Sequence, residues 1–247
     1  MSDDKNTRLH WGVPCPADTG SVYLCIDLKC FYASVECVDR GLDPFRTNLV
    51  VADSCRGKGT ICLAITPAMK ALGVRNRCRV FEIPKSVDFI ECRPHMRRYM
   101  EESAEIYGIY LRYFSPEDIH VYSVDECFID VTGYLRLYGE TPVSMAKKLM
   151  AVIRRERHIC ATAGVGTNLF LAKVALDVLA KREPDGIGWL DEEAFRRRVW
   201  HHRPLMDIWG IGPGTARRLE RYGALDLAGV TRVNEELLYG AFGVNAE

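Results

Sequence analysis

Short apolar runs rich in β-branched and aromatic residues alternate along this chain with segments whose apolar positions recur every three or four residues. That alternation admits few folds. Residues 22–28 read as a strand, after which Phe31, Ser34, Val35 and Val38 step at helical spacing. Residues 49–52 and 60–64 read as short strands about the turn Arg56-Gly57-Lys58-Gly59. Pro67 opens a helix that Gly73 closes. Met96, Met100, Ala104, Tyr107 and Leu111 predict a long amphipathic helix over 94–114. Residues 120–130 then read as two strands with 123–126 near their junction, followed by a helix over 143–157, a strand over 159–166 and a helix over 169–180. The expected class is α/β (α+β) around a mixed sheet. Residues 1–20, punctuated by Gly12, Pro14, Pro16 and Gly20, read as an N-terminal arm. Pro184-Asp185-Gly186 marks a boundary near 186.

Within this pattern the adjacent acids Asp125 and Glu126 interrupt an otherwise apolar strand pair. Charged side chains are rarely buried without a partner, so two in a row call for a cation or an exposed edge. An exposed hairpin turn is the plain alternative. A third acid, Asp27, ends the apolar run Tyr23-Leu24-Cys25-Ile26. If the two strands are neighbours, three carboxylates converge, and hard oxygen ligands of that kind hold Mg²⁺ with substrate phosphates for two-metal phosphoryl transfer. Lys70, Lys173 and Lys181 are phosphate-friendly, or else ordinary solvated lysines. Residues 52–59 fail as a P-loop, and neither Gly164-Val165-Gly166 nor Gly210-Ile211-Gly212 completes a dinucleotide fingerprint. The run from Gly210 through Gly212, Pro213, Gly214, Thr215, Arg217 and Arg218 reads better as a helix-hairpin-helix, in which glycines let a nucleic-acid backbone approach amides at a helix start. A plain turn between packed helices is its alternative. Arg196-Arg197-Arg198 with His201-His202-Arg203 either extends that surface or is a solvated helix end.

Charge narrows the partners. Thirty-three Lys and Arg balance 33 Asp and Glu, so the chain lacks the basic excess common in nucleic-acid binders. The balance is uneven, however: residues 29–86 hold ten Lys or Arg against five Asp or Glu. Hydrophobic residues at 48% and charged residues at 27% exclude a disordered or fibrous chain. Ten scattered cysteines with no CxxC spacing read as reduced thiols rather than a disulfide frame or a zinc site. With no signal pattern and no apolar run of about 18 residues, the expectation is a cytoplasmic monomer without membrane contact.

In this order, the segments Cys25-Ile26-Asp27-Leu28-Lys29-Cys30-Phe31-Tyr32-Ala33-Ser34-Val35-Glu36, 121–133, Gly164-Val165-Gly166-Thr167-Asn168 through Lys173, and the glycine hairpin resemble the Y-family of translesion DNA polymerases, most closely its UmuC-like branch with UvrX-like UV-damage repair proteins. The resemblance spans residues 22 to about 245 and implies a polymerase right hand. Its palm would be 21–30 and 87–185, its fingers 31–86, and its helical helix-hairpin-helix thumb 186–247.

The resemblance also implies that Asp27, Asp125, Glu126 and the Leu28 carbonyl hold two Mg²⁺ ions. Phe31, Tyr32, Lys70 and Lys181 would meet the nucleotide, with Tyr32 as the steric gate against a ribose 2′-hydroxyl, and Gly210, Gly212, Gly214, Thr215 and Arg217 would meet DNA. The implied activity is lesion-bypass DNA synthesis on primer-template DNA with dNTPs, in damage tolerance of the SOS type. A sliding clamp or recombinase filament would be engaged through a region beyond this chain. Three departures stand out. Lys29 replaces a second acid and, at a strand period of two, would share Asp27's face. Pro67 replaces a phosphate-contacting tyrosine. The chain ends at Glu247, which reads as a catalytic core lacking the little-finger domain, with a weak, salt-sensitive grip on DNA. A catalytically impaired DNA-binding fragment is the alternative, and a nuclease that cuts DNA without added nucleotides is a third reading.

Overall fold

The computed structural model describes residues 20–57 and 59–246. The arm expected at 1–20, Gly20 apart, lies outside the described residues, as does Lys58. A five-stranded sheet has the order β5-β6-β1-β7-β8, with β1 at Tyr23–Leu28, β5 at Ile119–Val121, β6 at Glu126–Asp130, β7 at Ala161–Gly166 and β8 at Ile187–Leu190. A smaller sheet, β3-β2-β4, joins Ala64–Ile65, Leu49–Val51 and Ile90–Cys92. The chain forms two compact units, one of Ile26–Ile129 with Lys147–Thr162 and one of Asp130–Ala146 and Ala163–Glu247 with the lead up to Cys25.

In the unit built on 26–129, β5 and β6 form an antiparallel hairpin with Ile119 opposite Ile129 and Val121 opposite Cys127. The chain leaves β1 through Lys29 and Cys30, the latter in a left-handed conformation (φ 50°), and enters α1, Phe31–Asp39. The strand therefore stops at Leu28, and the period-two projection expected for Lys29 does not apply, because Lys29 lies in the turn. Its amide donates to the Cys160 carbonyl at 2.8 Å, and its carbonyl accepts from Ser34 Oγ at 2.7 Å.

The small sheet encloses a core of Val50, Ala52, Cys62, Ile65, Met69, Val74, Cys78 and Ile83, in which the buried thiols of Cys62 and Cys78 lie 3.8 Å apart. The strand expected over 60–64 is mostly not one; only Ala64 joins β3, and Ile61 makes a lone bridge to Arg79. Thr60 instead folds back, its hydroxyl donating to the carbonyls of Gly57 at 2.8 Å and Asp53 at 3.1 Å. Next comes α2, Pro67–Ala71, with Thr66 as its N-cap and Gly73 beyond its end at φ 82°. The long helix α3 runs Met96–Tyr110, shorter at both ends than expected, with His95 as its N-cap and Leu111 as its C-cap.

The other unit holds α4, Thr132–Tyr138, and the start of α5, Pro142–Arg157. In it β7 pairs in parallel with β8, Gly164 opposite Gly188. Helix α6, Leu169–Val174, passes into a π-helical stretch over Ala175–Ala180, so the expected helix over 169–180 changes its winding midway. Then follow α7 (Glu192–Arg198), a 3-10 turn at Leu205–Asp207, α8 (Pro213–Glu220), α9 (Leu227–Val230) and α10 (Glu235–Phe242). The last elements surround a small core of Leu205, Ala216, Leu219 and Ala224. No helix among the described residues is long and apolar enough to cross a membrane.

Candidate active site

The acidic candidates lie at the ends of two neighbouring strands. The Leu28 amide donates to the Asp125 carbonyl at 2.9 Å, which sets the end of β1 beside the tip of the β5–β6 hairpin. The turn is tight, since the amides of Tyr122 and Ser123 both reach the Glu126 carbonyl at 3.0 Å. Asp125 and Glu126 are thus on a hairpin, as one reading expected, yet Asp27, Asp125 and Glu126 are half-buried rather than exposed. Ser123 Oγ donates to Asp125 Oδ1 at 2.8 Å and holds that carboxylate in place. The available donors are all oxygens, the chemistry Mg²⁺ prefers. Among the described residues, no three His, Cys, Asp or Glu side chains are gathered closely enough to form a closed metal cage.

Beside the acids stand Phe31 and Tyr32, in the first turn of α1 with ring centroids 5.8 Å apart. Burial pushes the Tyr32 phenol above its ordinary pKa, and the negative charge of Asp125 adds to this while Arg77 opposes it. The ring therefore lies within the electrostatic reach of an acid and a base on separate elements. Its other neighbour is Tyr99 of α3, whose ring stacks on it at 4.5 Å. Lys70 projects exposed from α2. In the second unit Asp177 is a shared counter-ion, 3.0 Å from Lys173 Nζ and 2.9 Å from Lys181 Nζ. Neither lysine is the isolated solvated cation of the plain reading.

The glycine run has the geometry of a helix entry. Gly210 has φ 89°, Gly212 precedes α8, and Pro213 occupies its first turn. A Cβ placed at Gly212 or Gly214 would meet nothing within 4 Å, so the space beside both Cα atoms is open. Thr215 is half-buried in the first turn, and Arg217 Nε donates to the Pro213 carbonyl at 3.2 Å. Arg218 turns toward α10, donating to the Ala241 carbonyl at 3.2 Å with its guanidinium over the Phe242 ring. The basic stretch after α7's start is largely neutralised. Arg197 pairs with Glu193, Arg198 with Glu183, His202 with Asp207 and Arg203 with Asp226. Of the two readings offered for it, the solvated helix end fits these pairings.

The sequence missed Glu36, His95, Tyr99 and Asp177. A charged residue at Glu36, four places after Tyr32 on an apolar helix face, was the available signal.

Residues 26–177, more than half of the chain, match the impB/mucB/samB family. The chain belongs to that family. Among curated relatives it is 35% identical over 222 residues to the putative UV-damage repair protein UvrX of Bacillus subtilis (strain 168), covering 90% of this chain and 52% of that protein. It is 33% identical over 227 residues to DNA polymerase IV 2 of the same strain, covering 91% and 53%. The chain thus spans about half the length of the curated relatives it matches. Among solved structures, an insertion ternary complex of Dbh DNA polymerase matches with a TM-score of 0.78 at 25% identity, over 91% of this chain and 64% of that one. DinB from Sulfolobus solfataricus matches at 0.75 and 25%, with the same coverage. The Y-family resemblance and the mixed α/β polymerase-core fold are both upheld by these matches.

Proposed function

We propose that this chain is the catalytic core of a lesion-bypass, DNA-directed DNA polymerase, adding deoxynucleotides to a primer 3′ end. The supporting observation is the Leu28–Asp125 hydrogen bond, which sets Asp27 and the Asp125-Glu126 pair at one edge, next to the aromatic pair of α1. Asp27, Asp125, Glu126 and the Leu28 carbonyl hold two Mg²⁺ ions, whose chemistry there is to acidify a primer hydroxyl and neutralise charge on the nucleotide phosphates. Ser123 orients Asp125 by its hydrogen bond. Tyr32 walls off the sugar's 2′ position, and Phe31 packs beside it. Lys70 and Lys181 take the triphosphate. Gly210, Gly212, Gly214, Thr215 and Arg217 take the primer-template backbone without reading sequence. On this reading the palm is 21–30 and 87–185, the fingers 31–86 and the thumb 186–247, and the positive surplus of 29–86 draws in a polyanion.

A second reading, a DNA-binding core without turnover, is favoured by one observation, a lysine, Lys29, in the turn directly after β1 where the resemblance expects a second acid. Primer extension with Mg²⁺ and dNTPs separates the two. The polymerase reading expects extension by the parent and none by Asp125→Ala. Extension that survives this substitution rejects the assigned site, and DNA binding with no extension by the parent favours the second reading.

A further inference from the structure

Tyr32 is not a lone ring. Tyr99, fully buried on α3, stacks on it with 14° between the ring planes and 4.5 Å between centroids. Tyr99 is itself tied down, its Oη donating to Glu36 Oε1 at 2.7 Å. Glu36 is only 2% exposed, and it also accepts from His95 Nδ1 at 2.7 Å and from the Arg40 guanidinium. It sits one helical turn after Tyr32, so the carboxylate and the gate ring share a face of α1. A carboxylate buried this deeply is tolerated only when its lone pairs are taken. Here they are taken by groups from α3, from the residue before it and from the residue just after α1.

The consequence concerns rigidity. An aromatic side chain in the first turn of a helix can swing between rotamers, and a wall that swings admits an extra hydroxyl at little cost. Stacking against an immobile ring removes that freedom from one side. We propose that Tyr99, anchored by Glu36, is a positioning residue that holds the Tyr32 ring in place, so that discrimination between deoxyribose and ribose depends on the pair of rings rather than on Tyr32 alone. This rests on the reading of Tyr32 given above.

The test compares kcat/KM for dATP and ATP in primer extension by the parent, Tyr99→Leu, Tyr99→Phe, Tyr32→Ala and the Tyr32→Ala/Tyr99→Leu double variant. Removing the stack in Tyr99→Leu is expected to lower the preference for dATP by about tenfold, through KM for ATP, with dATP efficiency kept within about threefold. Tyr99→Phe keeps the ring, loses the anchor, and is expected to fall between. The double variant should discriminate no worse than Tyr32→Ala, because both changes remove one wall. Parent-like preference in Tyr99→Leu while Tyr32→Ala loses it, or equal losses for both nucleotides, overturns the proposal. Unchanged preference in Tyr32→Ala instead rejects the gate reading, and this inference with it. If Tyr99→Leu does not fold, parent-like preference in Tyr99→Phe counts against the anchor. If the chain extends no primer, equilibrium dialysis of dATP and ATP with Mg²⁺ carries the same comparison, so the polymerase reading and the two-ring wall fail separately.

Discussion

Glu102 shows how much one buried carboxylate can organise. It is 2% exposed on α3 and accepts from Arg157 Nε and Nη2, each at 2.6 Å, and from Arg98 Nη1 at 2.9 Å. Arg98 also forks onto both oxygens of Asp39 at the end of α1, at 2.9 and 2.7 Å. Burial alone would push the Glu102 carboxyl upward, but the hydrogen bonds from Arg157 and then Arg98 outweigh it and hold its pKa below the ordinary value. The sign follows from linkage. A carboxyl whose folded pKa lies below its unfolded value, near 4.3, contributes stability that is complete above that value and lost as pH falls through the folded one. Glu102→Gln removes the charge and leaves two guanidiniums without it, a change expected to cost about 3 kcal/mol at pH 7. Urea unfolding at pH 7 and again near pH 3.5 should show the parent's advantage over Glu102→Gln shrinking in acid. An advantage that stays constant would mean the pair contributes nothing through ionisation.

The strands and helices impose constraints that no single residue reveals. A Cβ at Gly164 would lie 2.0 Å from the Ala172 carbonyl oxygen and 2.4 Å from the Leu176 amide, and one at Gly166 would lie 2.2 Å from the Ala172 amide. Gly188 on β8 meets the Ala175 carbonyl in the same way, at 2.3 Å. These three glycines let α6 and its π-helical continuation lie directly on β7 and β8. Gly164→Ala is therefore expected to cost about 3 kcal/mol, because backbone rather than a pliable side chain must move. Gly212→Ala, where a Cβ meets nothing within 4 Å, should change stability by less than about 1 kcal/mol. Thermal unfolding of the two variants checks the contrast, and comparable losses would remove the close-approach account. The alternation of apolar runs and amphipathic segments was enough to place β1, α1, β2, α2, α3 and the β5–β6 hairpin. Gly164 and Gly166 appeared in sequence only as a failed dinucleotide fingerprint. Their requirement arises from a helix later in the chain, beyond any local window. The stretch at 60–63 looked like a strand because its composition suits one, and the Thr60 hydroxyl bonds that divert it are invisible in composition.

For the whole molecule, equal numbers of basic and acidic residues say little, because what matters is which charges remain uncommitted. The site was legible in so far as its residues fall in short motifs: Asp27, Tyr32, Asp125, Glu126 and the glycine hairpin could be picked out from one chain. Tyr99 and its pairing with Glu36 could not, because 63 residues separate them and Tyr99 belongs to no recognisable run. The same distinction decides the basic stretch of residues 196–203. In sequence it reads either as a DNA surface or as a solvated helix end, and in the fold Arg197, Arg198 and Arg203 each face an acid. Arg217, by contrast, has no acidic partner among the described residues; it donates to a backbone carbonyl in its own helix and keeps its charge for an incoming phosphate. Each phosphate contact releases condensed counterions, so losing one lowers the dependence of log K on log salt by about 1. Fluorescence anisotropy of a labelled primer-template, titrated at several salt concentrations, should give Arg217→Ala a weaker affinity and a slope reduced by about 1. Arg197→Ala should keep the parent's slope. The reverse pattern would move the DNA-binding surface from the glycine hairpin to α7.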